Sequence, residues 1–456
     1  MIKLYSQNKH YKLYNGSMLD MLDVIDENSV DAIVTDPPYE LGFMGKTWDS
    51  SGVAFQKETW EKCLKVLKPG GYILAFGGSR TFYRIACAIE DAGFEIRDTI
   101  MWLYGSGFPK SLNIGLAVDK KNGVESEVVG KGKSGVSSRA YQSEEMTTAG
   151  EYEIREACNK WSGWGTALKP SFEPIIVARK PFKGSLVDNV IENGVGGLNI
   201  DECRVGFENG ETNSSINRYN STPQRGNNGW EHKNRGANFN EDTKKSMQLG
   251  RFPANTILTY DETDFDEICG GFPNSGNGNG KGVYSYKGVK YHNKDTSMFN
   301  GDKPQSPSNY NDNGSASRYF YCAKASKKDR DEGLDGLESK PMYQADNEHG
   351  NLGAFYVKKA GGEIGDVQLR KNTHPTVKPT DLMQYLVRLV TPNNGTILDP
   401  FNGSGSTGKA VMYENKERNK NYKYIGIELT EEYLPIAKAR IEYVCNLPKK
   451  VSLIDL

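Results

Sequence analysis

No stretch of this 456-residue chain approaches the run of roughly 18 to 20 apolar residues that a membrane helix requires. The opening residues, Met1-Ile2-Lys3-Leu4-Tyr5-Ser6, turn polar without an apolar h-region, so no signal peptide is expected. The seven cysteines (Cys63, Cys87, Cys158, Cys203, Cys269, Cys322 and Cys445) form no Cys-x-x-Cys pair, and the five histidines supply no zinc spacing. Reduced thiols in a cytoplasmic protein without a metal site are the expectation. Basic charge is not in excess either: 57 Lys and Arg face 58 Asp and Glu, a net charge of -1. That balance lacks the signature of a small DNA-binding module. It leaves room for a locally positive cleft. No repeat of fixed period is evident.

What is present is alternation at both ends. Residues 30–35 read as a buried strand running into Asp36-Pro37-Pro38-Tyr39. A helical pattern then places Trp60, Leu64 and Leu67 on one face, closed by Pro69-Gly70-Gly71. Strands come next at 72–76, 95–103 and 173–178, with a helix near 82–92. Near the far end, a helix carrying Leu382, Tyr385, Leu386 and Leu389 leads to a strand at 396–398 and a glycine-rich segment at 399–408. Another strand ends at Glu428, and Thr430 is expected to cap the helix lined by Leu434, Ala437 and Ile441. Strands alternating with helices imply a largely parallel α/β sheet covered on both faces. Neither end has enough strands alone, so both are expected to join one sheet. This divides the chain into 1–184, an insert at 185–371, and 372–456. The insert is rich in Gly, Asn and Ser, but Phe207, Trp230, Phe239, Phe252, Tyr319, Phe320 and Tyr321 argue that much of it packs.

Two segments carry chemistry. At Asp36-Pro37-Pro38-Tyr39, a strand ends on a carboxylate, and two prolines stiffen the chain just beyond it. An exocyclic amino group has two N–H donors, which suit an Asp oxygen and the Pro37 carbonyl. Tyr39 offers a face for a stacked base, worth roughly 1 to 3 kcal/mol. The second segment, Asp399-Pro400-Phe401-Asn402-Gly403-Ser404-Gly405, is a strand opening through glycines into a helix, the architecture of nucleotide-like ligand sites. Glu428, one strand on, suits ribose hydroxyls, as an acid does in dinucleotide sites too. Gly403, Gly408 and Lys409 keep a P-loop spacing, but Ala410 lacks the hydroxyl that would hold Mg²⁺, and Asp399 would repel phosphate. Asp399 suits a cationic amino group.

"TDPPY", succeeded by "NTHPTVKPTDLM", "TILDPFNGSGSTG" and "YIGIEL", resembles the amino-methyltransferases of DNA, specifically the circularly permuted β-class. "VLKPGGYILAFGG", "YGSGFPKS", "KPSFEPIIVARKP" and "RYFYCAKASKKDR" extend the resemblance over most of the chain. It implies a Rossmann-like methyltransferase sheet with an inserted target-recognition domain, S-adenosylmethionine as cofactor, and double-stranded DNA as substrate. It implies a prokaryotic or phage-encoded cytoplasmic enzyme, for which a homodimer and a separate restriction endonuclease are expectations of the resemblance alone. By position, Asp36, Pro37, Pro38 and Tyr39 match the catalytic motif. Asp399, Pro400, Phe401, Gly403 and Gly405 match the cofactor loop, and Glu428 the ribose-binding acid. His374, Pro375, Thr376 and Lys378 match a segment lying by the methionine end of the cofactor. Where the family shows Gly-Asp, this chain has Gly16-Ser17, leaving Ser17 at the adenine-side position without the acid.

Asp at the first catalytic position resembles adenine-N6 enzymes, whereas Ser there resembles cytosine-N4 enzymes. The implied reaction is methyl transfer to the adenine N6 amino group after base flipping, with cytosine N4 as the alternative. An RNA amino-methyltransferase would share the pocket, but the long insert fits DNA better. A nicotinamide oxidoreductase would have no use for Asp-Pro-Pro-Tyr. A catalytically dead DNA-binding homologue would not need the intact catalytic and cofactor residues. Lys327, Lys328, Arg330 and Arg318 are candidates for phosphate contact, and no nuclease centre is recognisable.

Overall fold

The computed structural model describes residues 2–41, 47–104, 111–133, 151–206, 250–259, 327–341 and 369–448, together with short strand segments at 274–275, 314–315, 321–322, 343–345, 352–354, 356–358 and 364–367. Two units divide the chain: Met1–Asn199, Asn255–Thr259 and Ala323–Leu456 form the larger, and Ile200–Ala254 with Tyr260–Cys322 the smaller. The range 185–371 expected for the insert does not coincide with this division, because residues 186–193, 256–259 and 327–331 belong to the larger unit. Phe207, Trp230, Phe239, Arg318, Tyr319 and Phe320 lie outside the described residues, and Phe252 is exposed.

The larger unit is built on a mixed sheet. Its strands are β1 (Lys3–Gln7), β2 (Tyr11–Asn15), β3 (Val30–Thr35), β4 (Leu67–Phe76) and β5 (Glu95–Tyr104). After a hairpin, β6 (Glu127–Lys133) with β7 (Glu151–Glu156), come β8 (Phe172–Arg179), β9 (Thr256–Thr259), β10 (Thr396–Asp399) and β11 (Lys423–Glu428). The order is β1-β2-β11-β10-β3-β4-β8-β5-β9. The run from β2 through β11, β10 and β3 to β4 is parallel, and β8 runs antiparallel to both neighbours. Both ends of the chain therefore interleave in one sheet, β2 lying beside β11 and β10 beside β3.

Helices cover both faces. One layer holds α1 (Met18–Leu22), α2 (Lys57–Val66) and α3 (Phe82–Asp91); α4 (Ile114–Asn122), α5 (Leu186–Asn193) and α6 (Lys327–Asp331) are peripheral. The other layer holds α7 (Thr380–Val390), α8 (Ser406–Arg418) and α9 (Leu434–Asn446). Strand β3 is all buried, as expected of a parallel strand covered on both faces. Trp60, Cys63 and Val66 of α2 pack on Ile33, Ile73 and Ile176 of the sheet. Among the described residues no helix is long and apolar enough to cross a membrane.

Two local expectations are corrected. Pro69-Gly70-Gly71 does not close α2: β4 already begins at Leu67, and Gly70 sits inside the strand at φ +81°. Thr430 does not cap a long helix with its side chain. It precedes a 3-10 turn, Glu431–Tyr433, before α9 starts at Leu434.

Candidate functional site

The seam between β10 and β3 positions the site. From β10 the chain crosses through α8 to β11 on one side, and from β3 through α2 to β4 on the other. Crossovers leaving in opposite directions open a crevice beyond the carboxyl ends of the two central strands. Asp36 comes directly after the last residue of β3, and Asp399 ends β10. Both line a cavity of about 1320 Å³.

On the β3 side, Asp36-Pro37-Pro38-Tyr39 forms the rim. Lys378 Nζ lies 2.6 Å from Asp36 Oδ2 and 3.4 Å from Glu173 Oε2. Asp36 Oδ1 is buried and has no hydrogen-bond partner among the described residues. The Tyr39 hydroxyl donates to Glu173 Oε2 at 2.7 Å, and the Tyr104 hydroxyl to Oε1 at 3.3 Å. The Lys378 ammonium also lies 5.3 Å from the Tyr39 ring centre and 5.0 Å from that of Phe76. Burial pushes the Asp36 carboxyl upward, while the Lys378 charge pulls it back. The Tyr39 hydroxyl is held well above its ordinary range by burial and then by the neighbouring carboxylates.

On the β10 side, Asp399 is buried and takes three donors. Thr35 Oγ1 reaches Oδ1 at 2.7 Å, Phe401 N reaches Oδ1 at 3.1 Å, and Thr407 Oγ1 reaches Oδ2 at 2.6 Å. Burial still raises its carboxyl to about 6. Glu428 accepts from Gly403 N at 2.7 Å and Thr430 N at 2.8 Å, and burial raises it to about 7. Behind the turn, the buried Arg440 donates to Ser404 O at 2.8 Å and Ser406 Oγ at 3.1 Å, so α9 holds the glycine turn in place. Gly403 has φ +50°, and a Cβ there would meet His374 Nε2 at 2.8 Å. The buried His374 ring packs edge-on against Tyr433, and burial lowers it to about 3, keeping it neutral.

The cavity is lined by Ser17, Asp36, Pro37, Pro38, Tyr39, Thr376, Lys378, Asp399, Pro400, Phe401, Gly403 and Glu428. Gly405 is not in its lining. It has φ +74°, and a Cβ would come within 2.9 Å of Ala437 Cα, so its glycine serves the turn and the packing of α9. Ser17 caps α1, its Oγ accepting from Leu19 N at 3.2 Å. Lys378, matched to the methionine end of the cofactor, has its ammonium on Asp36. Lys409, the P-loop-like lysine, is fully buried and paired with Asp329 at 2.7 Å and Glu332 at 2.9 Å. Arg330, considered for phosphate contact, donates instead to the carbonyls of Asn372 and His374 beside the cavity. Glu173 and Thr35 are additions that sequence reasoning did not supply. The one available signal for Glu173 was its form, an acid preceding a proline at a strand end, like Asp36.

The site can therefore offer a buried acceptor beside an aromatic face, and two raised carboxylates beside a glycine turn. Its volume exceeds the roughly 300 to 1,000 Å³ of a single small-molecule pocket, leaving room for two ligands.

The sequence model of the N6_N4_Mtase family, described as DNA methylase, matches residues 30–439. Type II methyltransferase M.HindIII of Haemophilus influenzae is 23% identical over 229 residues, 41% of this chain and 64% of that protein. Type II methyltransferase M.HpaI of Haemophilus parainfluenzae is 36% identical over 106 residues, 22% of this chain and 34% of that protein. The matches thus span less than two thirds of either relative's length. Among solved structures, that of the M1.HpyAVI-SAM complex aligns with a TM-score of 0.33 at 14% identity, covering 94% of this chain and 99% of that one.

Proposed function

Because this chain belongs to the N6/N4 DNA methylase family, whose model spans residues 30–439, we propose that it methylates the N6 amino group of adenine in double-stranded DNA, with S-adenosylmethionine as methyl donor. The observation that carries the reading is the buried, unpartnered Asp36 Oδ1 in the same cavity as Asp399 and Glu428.

The residues present fit the cofactor. Gly403 lines the cavity with its backbone alone, and the two carboxylates, Asp399 and Glu428, suit a cationic amino group and ribose hydroxyls. Asp399, Phe401, Gly403 and Glu428 would hold its nucleoside and amino acid parts, with Thr376 near the methionine end. When bound, S-adenosylmethionine supplies a methyl group on a positively charged sulfur.

The chain's own residues do the rest. A stacked base cannot reach the cavity, so the target base is extruded, at a cost of a few kcal/mol. Asp36 Oδ1 and the Pro37 carbonyl accept the two amino hydrogens and turn the nitrogen lone pair toward the donor. Tyr39 supports the ring, its hydroxyl anchored on Glu173. Alignment and exclusion of water supply the acceleration. Asp rather than Ser at position 36 favours adenine over cytosine. The smaller unit is assigned to base recognition in the major groove. A homodimer and a separate endonuclease belong to the same reading, to be examined by sedimentation and by the genes beside this one.

The test is methylation of duplex DNA by the purified protein, with mass analysis of the nucleosides. N6-methyladenine is expected, and Asp36→Ala should lower the rate by roughly 100-fold or more. N4-methylcytosine would overturn the choice of base. Equal methylation by Asp36→Ala would overturn the site.

A further inference from the structure

We propose that Glu173 is a positioning residue for the transfer: a second carboxylate that, through Lys378 and Tyr39, fixes Asp36 and leaves the Asp36–Lys378–Glu173 triad with one net negative charge. This rests on the reading of the pocket as an amino-group methylation site.

The geometry is closed on three sides. Glu173 takes the hydroxyls of Tyr39 at 2.7 Å and Tyr104 at 3.3 Å, and its Oε2 lies 3.4 Å from the Lys378 ammonium. That ammonium is 2.6 Å from Asp36 Oδ2. Lys378 is thus shared between two acids; it holds Asp36 Oδ2, while the buried Oδ1 of the same carboxylate has no hydrogen-bond partner among the described residues. Asp36 and Glu173 are largely buried, with side chains 21% and 20% exposed, and Lys378 is 7% exposed. Two carboxylates and one ammonium sum to a single negative charge.

That sum matches the product of transfer. The lone pair of the amino nitrogen forms the new N–C bond while the C–S bond breaks, its electron pair remaining on sulfur. Sulfur loses its positive charge and nitrogen acquires it. One nitrogen-bound proton then leaves through the carboxylate that accepts it, Asp36, to solvent. A triad carrying one negative charge beside the amino group favours the cationic nitrogen over the neutral one, so Glu173 acts on the chemical step more than on binding.

The groups facing Asp36 are Lys378, Glu173, Tyr39 and, across the seam, Asp399. After burial, Lys378 lowers its carboxyl and Glu173 raises it. Removing the Glu173 charge therefore lets Asp36 ionise at lower pH.

The experiment compares wild type with Glu173→Gln, which keeps shape and removes charge. The expected result is a kcat lower by about tenfold or more with KM for DNA little changed. S-adenosylmethionine affinity by calorimetry stays within about twofold, since Glu173 does not reach the cofactor turn. The acid limb of the kcat–pH profile moves down by roughly half a unit or more. An unmoved acid limb, an unchanged kcat, or loss of cofactor binding would each overturn the proposal, the last by making Glu173 architectural. Wild-type turnover and its loss in Asp36→Ala report separately on the underlying reading.

Discussion

Thr35 and Asp399, 364 residues apart in sequence, are joined by a hydrogen bond of 2.7 Å from Thr35 Oγ1 to Asp399 Oδ1. The last residue of β3 thereby braces the first acid of the glycine turn, one residue before Asp36. The catalytic rim and the cofactor turn are one mechanical unit at the seam between strands. Thr35→Val keeps the shape and removes the donor. A hydrogen bond to a charged group is worth about 1.5–3 kcal/mol. Asp399 would lose one of its three donors and ionise less readily. Cofactor affinity by calorimetry should fall by roughly tenfold, because each 1.4 kcal/mol is a factor of about ten. Unchanged affinity would detach Asp399 from the cofactor.

Asp399 and Glu428 give the ligand-free protein a specific pH signature. Their carboxyls are raised by burial from 3.8 to about 6 and from 4.5 to about 7. The native state therefore binds these protons more tightly than the unfolded chain. The stability they contribute is fully present below the unfolded values and is lost as pH rises through 6 and 7. On this account, lowering pH from about 8 to 5 raises the melting temperature more in wild type than in Glu428→Gln, by roughly 2 °C or more. Cofactor affinity should run the other way, weakening as Glu428 protonates below about 7. Parallel melting curves for the two proteins across that range would refute the assignment.

Gly403 and Gly405 are both left-handed, at φ +50° and +74°, but they answer to different neighbours. An Ala at either position costs roughly 1–2 kcal/mol in backbone strain. At 403 the added methyl presses on the His374 ring, which lines the cavity, so Gly403→Ala should cut cofactor affinity more than stability. At 405 it meets the α9 backbone at Ala437, which has nowhere to go, so Gly405→Ala should mainly lower the melting temperature. Calorimetry and thermal melts on the pair separate the two effects. Equal losses of affinity would show the distinction to be empty.

Asp36, Asp399 and Glu428 were legible in the sequence because each ends a parallel strand, and a run of apolar residues stopping at an acid is a local pattern. The union of the two chain ends was legible too, since neither end carries a whole sheet. Glu173 was not. Its strand, β8, runs antiparallel, so its first residues, rather than its last, arrive at the edge where β3 and β4 end. Strand direction is a tertiary fact that apolar periodicity does not encode. The same holds for the pairing of Lys378, itself singled out in the sequence, with Asp36, 342 residues away, and for Arg330, a charged residue of a short helix that turns inward onto the carbonyls of Asn372 and His374. Pro69-Gly70-Gly71 misled for a local reason: the residues of a turn also fit a kinked strand start, and here the sheet prevailed.

Lys378 is the most informative single position, because removing its charge should act opposite to removing that of Glu173. In Lys378→Met the two acids face each other without a cation, and like charges in a shared site cannot both ionise freely. Without the Lys378 charge that lowers it, Asp36 keeps its proton to higher pH, and the acid limb of kcat moves up rather than down. Stability also falls. Stripping a buried acid of its partner costs about 3–5 kcal/mol, but the remaining solvent access of both carboxylates reduces this to roughly 1–3 kcal/mol. The double variant Lys378→Met with Glu173→Gln restores a single negative charge carried by Asp36 alone. Its acid limb should return toward that of wild type, and at neutral pH it should turn over faster than Lys378→Met. A double variant no better than Lys378→Met would mean that the ammonium's position, and not the charge balance around Asp36, governs the pocket.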